Sequence, residues 1–186
     1  MATLFGNHAI ASCSATGDKI RRHDILRNRL FDAASAALLA PRKEVRGLDL
    51  ASQQKPGDVV ISNWELSPGS TRTAFDVTVA SPMTSTLVKA TVREPRAALT
   101  RAYQNKRRKY RDIPADTHCV PLAVTTFGAW DNDAIPHLKA IASHKARNAG
   151  KDKAVIARQL MQQLSVSLQR ENSALLAARC PSAEEH

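Results

Sequence analysis

An α/β fold, a central mixed sheet flanked by helices, is predicted by three observations along this chain. Asp58–Trp64 and Thr73–Val79 both have strand composition, and the turn residues Ser67-Pro68-Gly69-Ser70 lie between them. Further on, Val120-Pro121-Leu122-Ala123-Val124 is an apolar run of the kind found in a strand covered on both faces. A helical pattern from Arg96 to Tyr110 separates that run from the first two strands. Strand, helix, strand in that order implies a right-handed crossover and hence a parallel pair beside an antiparallel one.

The remaining elements fall around this centre. Asp18 to about Ala40 is predicted helical, with Ile25, Leu26, Leu30, Phe31, Ala34 and Leu38 forming its apolar face and Pro41 stopping it. Ser85–Val92 reads equally as a third strand or a short helix, and Asp112–His118 as a polar loop. Gly128 ends the last strand region, and Asn132–Ala149 is a helix. Lys151-Asp152-Lys153 opens a final helix that carries Ile156, Leu160, Leu164, Leu168 and Leu175 near one face. The organisation expected is one domain over residues 18–149 and a C-terminal helix over 150–180 packed on it. A short polar N-terminal stretch over 1–17 and a disordered tail over 181–186 complete it.

The charge narrows the partner. A net charge of +10 on 186 residues argues for a polyanion, nucleic acid before an anionic membrane surface. No apolar run approaches membrane-spanning length, and the N-terminus lacks a secretory apolar core. Three scattered cysteines, Cys13, Cys119 and Cys180, make no disulfide framework, so an intracellular location is expected.

The basic helix holds the anomaly. Its apolar stripe runs through Leu99, Ala102, Tyr103 and Tyr110, and Lys106 falls inside it. A buried cation is costly unless an anion faces it. Two aspartates on the preceding strand patterns, Asp58 and Asp76, could supply that anion. One hairpin register makes them diagonal neighbours on one face, about 7–8 Å apart, and a one-residue slip sends them to opposite faces. An aspartate within Ala74-Phe75-Asp76-Val77 is unfavourable for a strand, which points to a purpose. Phosphodiester hydrolysis needs a divalent cation, and Mg²⁺ is held through one or two carboxylates with room left for water and phosphate. Lys106 could then orient the attacking water or stabilise the transition state, with Lys109 in reserve. The bland alternative is a lysine whose stem covers apolar surface.

Other residues are weighed beside these. Glu44 either completes the metal site or is simply solvated. Arg21 and Arg22, in Arg21-Arg22-His23-Asp24, contact a phosphate or form a capping cluster, and His23 is a weak candidate for anything catalytic. Arg101, Arg107 and Arg108 are expected on the solvent side, holding phosphates without reading bases. Tyr103 and Tyr110 are expected as core aromatics. His8 and Cys13 have the spacing of half a zinc knuckle, too little to hold zinc alone.

Lys55-Pro56-Gly57-Asp58, then Asp76-Val77-Thr78-Val79, then Lys106-x-x-Lys109-Tyr110, then Phe127-Gly128-Ala129-Trp130 occur in order. Together with Arg22-His23-Asp24-x-Leu26-Arg27 and the His8/Cys13 pair, they resemble the restriction-like endonuclease domain of non-LTR retrotransposon polyproteins, a branch of the PD-(D/E)xK nuclease superfamily. The likeness spans about Gly6 to Trp130. It implies a restriction-endonuclease-like core with extra C-terminal helices. It also implies metal ligation by Asp58 and Asp76 with Glu44 as a further acid, and Mg²⁺ or Mn²⁺ as cofactor. Thr78 stands where the superfamily often places its lysine, so the resemblance assigns that role to Lys106. The activity implied is nicking of target DNA in the nucleus, with RNA–DNA as a related partner and a fused reverse transcriptase domain as context. A catalytically degenerate nucleic-acid-binding module of the same fold is the alternative.

Overall fold

The computed structural model describes residues 16–43, 57–111 and 113–178. In chain order the elements are α1 (Thr16–Ala36), β1 (Arg42–Lys43), β2 (Val59–Ser62), β3 (Arg72–Ala80), α2 (Val88–Arg93), α3 (Ala97–Lys109), β4 (Thr117–Thr125), α4 (Ala134–Asn148) and α5 (Lys153–Ala177). The four strands form one sheet in the order β1-β2-β3-β4. β1, β2 and β3 pair antiparallel, whereas β3 and β4 are parallel, with α2 and α3 in the crossover between them. This is a mixed α/β architecture, a mixed four-stranded sheet flanked by helices, as the strand–helix–strand pattern predicts.

Alternation along the strands divides the sheet into two faces. Val59, Ile61, Phe75, Val77, Val120, Leu122 and Val124 enter the main core, together with Leu26 and Leu30 of α1, Leu138 and Ile141 of α4, and Ile156, Leu160, Leu164 and Leu168 of α5. The other face carries Ala74, Asp76, Thr78, Cys119 and Ala123, and α3 packs over it through Ala98 and Leu99. Alanines at Ala74 and Ala123 keep that face shallow, so the helix comes close enough for its side chains to touch strand residues. Asp152 caps α5 by accepting the Val155 N–H at 2.9 Å, which satisfies one of the donors a helix start leaves open. No helix among the described residues is long and apolar enough to cross a membrane.

Several boundaries differ from expectation. α1 ends at Ala36, and Leu38 and Ala40 follow with φ of 57° and 45°. The Leu39 N–H closes onto Ala34 O at 3.1 Å in this left-handed turn, and Leu38, expected on the apolar face, is left 77% exposed. β2 stops at Ser62 because Asn63 also turns at φ 49°. The turn carries Trp64 into the core, edge-on to Phe75 at 5.7 Å between centroids, with its Nε1–H donated to His137 Nδ1 at 2.8 Å. The ambiguous stretch from Ser85 resolves as α2, and Thr117 and His118 belong to β4, not to a loop. The expected N-terminal stretch, Glu44 and the C-terminal tail lie outside the described residues.

Candidate metal centre

The centre begins where β2 has not yet started. Gly57 lies flat against β3: a Cβ there would stand 2.9 Å from Ala74 Cβ and 3.0 Å from Phe75 O. The close approach sets Asp58 directly beside β3, its N–H donated to Phe75 O at 2.7 Å. Because β2 begins only at Val59, the Val77 N–H beyond it has lost its strand partner. Asp58 Oδ2 accepts that N–H at 2.7 Å, so the carboxylate completes the ladder and is held at the end of the strand. Asp76, one residue earlier on β3, projects from the α3 side of the sheet. The two carboxylates are therefore closer than the diagonal pairing expected from the hairpin.

From α3, Lys106 reaches down and places Nζ 2.7 Å from Asp76 Oδ2, with side chains 24% and 4% exposed. Its place in the stripe explains the contact: Lys106 lies two turns beyond Leu99 and one before Tyr110, both buried. Tyr110, expected as a core aromatic, is buried, and the charge of Asp76 acts on its hydroxyl. The Asp76 Oδ2 atom is wholly enclosed and meets the ammonium as an ion pair, without a well-directed hydrogen bond.

A third ligand-bearing residue comes from α1. His23 Nε2 lies 2.9 Å from Asp58 Oδ2, and Nδ1 lies 3.2 Å from Asp24 Oδ1. Asp24 is in turn paired with Arg27 at 3.0 Å. The sequence makes His23 only a weak candidate for catalysis, yet a signal of its placement is present. His23 precedes the buried Leu26 by three residues and Leu30 by seven, so it continues the inward stripe of α1 towards its start.

Charge is unevenly shared among these groups. Burial pushes Asp58 upward, but the His23 hydrogen bond and charge, with the Val77 N–H, outweigh it and hold the carboxyl below its ordinary range. Burial raises Asp76, and the neighbouring Asp58 charge adds to the rise, against the pull of Lys106. The Asp58 hydrogen bond raises His23 in spite of burial, and Asp24 reinforces it. Burial and Asp76 drive the Tyr110 hydroxyl strongly upward, so it stays a donor.

This donor set could hold a metal ion. Among the described residues, His23, Asp58 and Asp76 each offer one ligand atom, all within 4.8 Å of one another. Two adjacent carboxylates, one of them unfavourably charged, are what a cation relieves.

The other predicted residues fall elsewhere. Lys109 is exposed and turns to Tyr110, with Nζ 3.2 Å from the hydroxyl and 4.8 Å over the ring, so its contact with the site is indirect. Arg101, Arg107 and Arg108 are exposed along α3. Arg21 is exposed and paired with Glu171 at 3.2 Å. Arg22 requires correction: it is 5% exposed and donates to Asn172 Oδ1 at 3.3 Å, tying α1 to α5 instead of facing a phosphate. Nor do Arg21 and Arg22 cap the helix, since α1 begins at Thr16. Glu44 lies outside the described residues. No protein-family model matches the chain, and no curated protein matches it.

Proposed function

We propose that the chain is a metal-dependent DNA endonuclease domain with a restriction-endonuclease-like core, acting as the target-nicking part of a retroelement reverse transcriptase-type protein. The observation that carries this reading is the convergence of Asp58, Asp76 and Lys106, from the start of β2, from β3 and from α3, around one small site. A lysine beside two carboxylates is a costly arrangement for a fold to keep. Replacing such a buried pair by apolar groups often stabilises a protein, so its presence points to chemistry.

Asp58 and Asp76 would hold the cation, with His23 beside them. A bound Mg²⁺ or Mn²⁺ neutralises charge on the scissile phosphate and lowers the pKa of its water. Asp58 is fixed for this by the Val77 N–H, and Asp76 is held by its ion pair with Lys106. Lys106 then has two uses: to orient the attacking water, or to meet the negative charge that grows on the phosphate oxygens. Arg101, Arg107 and Arg108 lie exposed on the same helix as Lys106 and would grip flanking phosphates. That grip is independent of base sequence.

Cleavage and binding must be measured on the same preparation. Supercoiled plasmid should be nicked in Mg²⁺ or Mn²⁺ and bound with an affinity that falls steeply with salt. Steeply salt-dependent binding with the plasmid left intact would make the chain the non-catalytic module instead.

A further inference from the structure

We infer that His23 is itself a metal ligand, held for that task by Asp24, and that the centre is a mixed nitrogen–oxygen site preferring Mn²⁺ to Mg²⁺. This rests on the metal-dependent reading above and adds a ligand to it.

Three independent features of the site lead there. First, His23 Nε2 and Asp58 Oδ2 are 2.9 Å apart. Two ligand atoms about 2.1 Å from one ion and at right angles to each other are separated by about 3.0 Å, so the pair already stands at the spacing of adjacent ligands. Second, the far nitrogen, Nδ1, faces Asp24 Oδ1 at 3.2 Å, and Arg27 anchors Asp24 at 3.0 Å. A carboxylate on the far nitrogen is the usual support of a metal-binding histidine, because it fixes the tautomer and aims the other nitrogen's lone pair at the ion. Third, Asp76, whose Oδ2 is wholly enclosed and lacks a well-directed hydrogen bond, offers a carboxylate oxygen to the same group of ligand atoms.

A hydrogen-bonding role alone does not account for this arrangement. A histidine needed only to neutralise Asp58 would require no second carboxylate behind it. Nor does Asp58 lack a donor, since the Val77 N–H already bonds it. With His23 included, α1 joins β2 and β3 in the site, and one ion would bind the two layers of the fold together.

The donor set determines the preference. Mg²⁺ favours oxygen and keeps its waters, whereas imidazole favours first-row transition ions. A site of one imidazole and two carboxylates should therefore bind Mn²⁺ more tightly than Mg²⁺. Removing the imidazole should cost Mn²⁺ more than Mg²⁺, leaving the two ions nearer in affinity.

Mn²⁺ electron paramagnetic resonance on the full chain tests this directly. Titration gives the affinity, and electron spin-echo modulation detects a nitrogen bound to the ion. The expected result is ¹⁴N modulation in the native protein, lost in both His23→Ala and His23→Gln while circular dichroism shows each variant folded. Asp24→Ala should keep the modulation and weaken Mn²⁺ by about tenfold or more. Competition with Mg²⁺ should show the Mn²⁺ preference shrinking in the His23 variants. Bound Mn²⁺ without nitrogen modulation would overturn the inference, as would failure of the native chain to bind Mn²⁺. A nitrogen-ligated ion in a protein that leaves plasmid intact would instead overturn the nuclease reading and leave this one standing.

Discussion

Lys106 is where residue chemistry and function meet. Its Nζ is the charged partner of a nearly inaccessible Asp76, 2.7 Å away. Removing one member of a buried pair leaves the other uncompensated, at a cost of about 3–5 kcal/mol in fully buried cases. Here Lys106 keeps a quarter of its exposure, so Lys106→Met should destabilise the metal-free protein by a smaller amount, about 1–3 kcal/mol. Denaturant melts with and without Mn²⁺ check this. The variant should recover stability in the metal, because a cation takes over the neutralisation of Asp76. A variant as stable as the native chain, and indifferent to metal, would mean that the pair carries no such charge.

His137 gives a second residue-scale prediction, with a definite sign. Its Nδ1 accepts the Trp64 indole N–H at 2.8 Å, and burial, with His118 nearby, holds its pKa below the ordinary histidine value. The unfolded chain therefore takes up the proton first. The stability contributed by neutral His137 is fully present above the unfolded pKa of about 6.5 and is lost as pH falls below it. Between about pH 7.5 and pH 5.5, His137→Gln should lose less unfolding free energy than the native chain. Equal losses would show that His137 does not titrate in this way.

At the scale of elements, the site depends on how tightly the start of β2 approaches β3. Gly57→Ala would push a methyl to within about 3 Å of the β3 backbone, where no flexible side chain can yield. The strand start must shift and carry Asp58 away from Val77 and His23. The expected cost is about 1–3 kcal/mol of stability together with weakened Mn²⁺ binding, read by melts and by metal titration. A variant with native metal affinity would contradict the geometry.

Much of this scale is legible in the amino-acid sequence. Turn residues and β composition located β2 and β3, and a lysine in the stripe of α3 pointed to a buried anion. What escaped was decided by tertiary contact. β1 is two residues paired to β2 and has no periodicity to read. The end of α1 is set by a left-handed turn at Leu38, a residue type that does not announce one, whereas the turn at Asn63 that ends β2 suits asparagine. His23 sits 35 residues before its partner Asp58, and only the packing of α1 on the sheet brings them together. Arg22, its neighbour, reads as basic surface yet is consumed by Asn172, 150 residues away. Local pattern located the acids and the lysine; it could not say which of two adjacent basic residues turned inward.

At the scale of the molecule, charge and site must act on one partner. The net charge of +10 favours association with any polyanion, and exposed arginines line the helix that carries Lys106. Charge by itself predicts only binding; the carboxylate pair and lysine beneath that basic surface predict cleavage. The most direct test is the initial rate at which supercoiled plasmid becomes open circle, for native protein and Asp76→Ala, in Mg²⁺ or Mn²⁺ and in chelator. Nicking by the native chain is expected in either metal, with none in chelator and a rate for Asp76→Ala at the level of the chelator control. Equal nicking by native protein and Asp76→Ala, or no nicking by a native preparation that binds both metal and DNA, would contradict the proposed function.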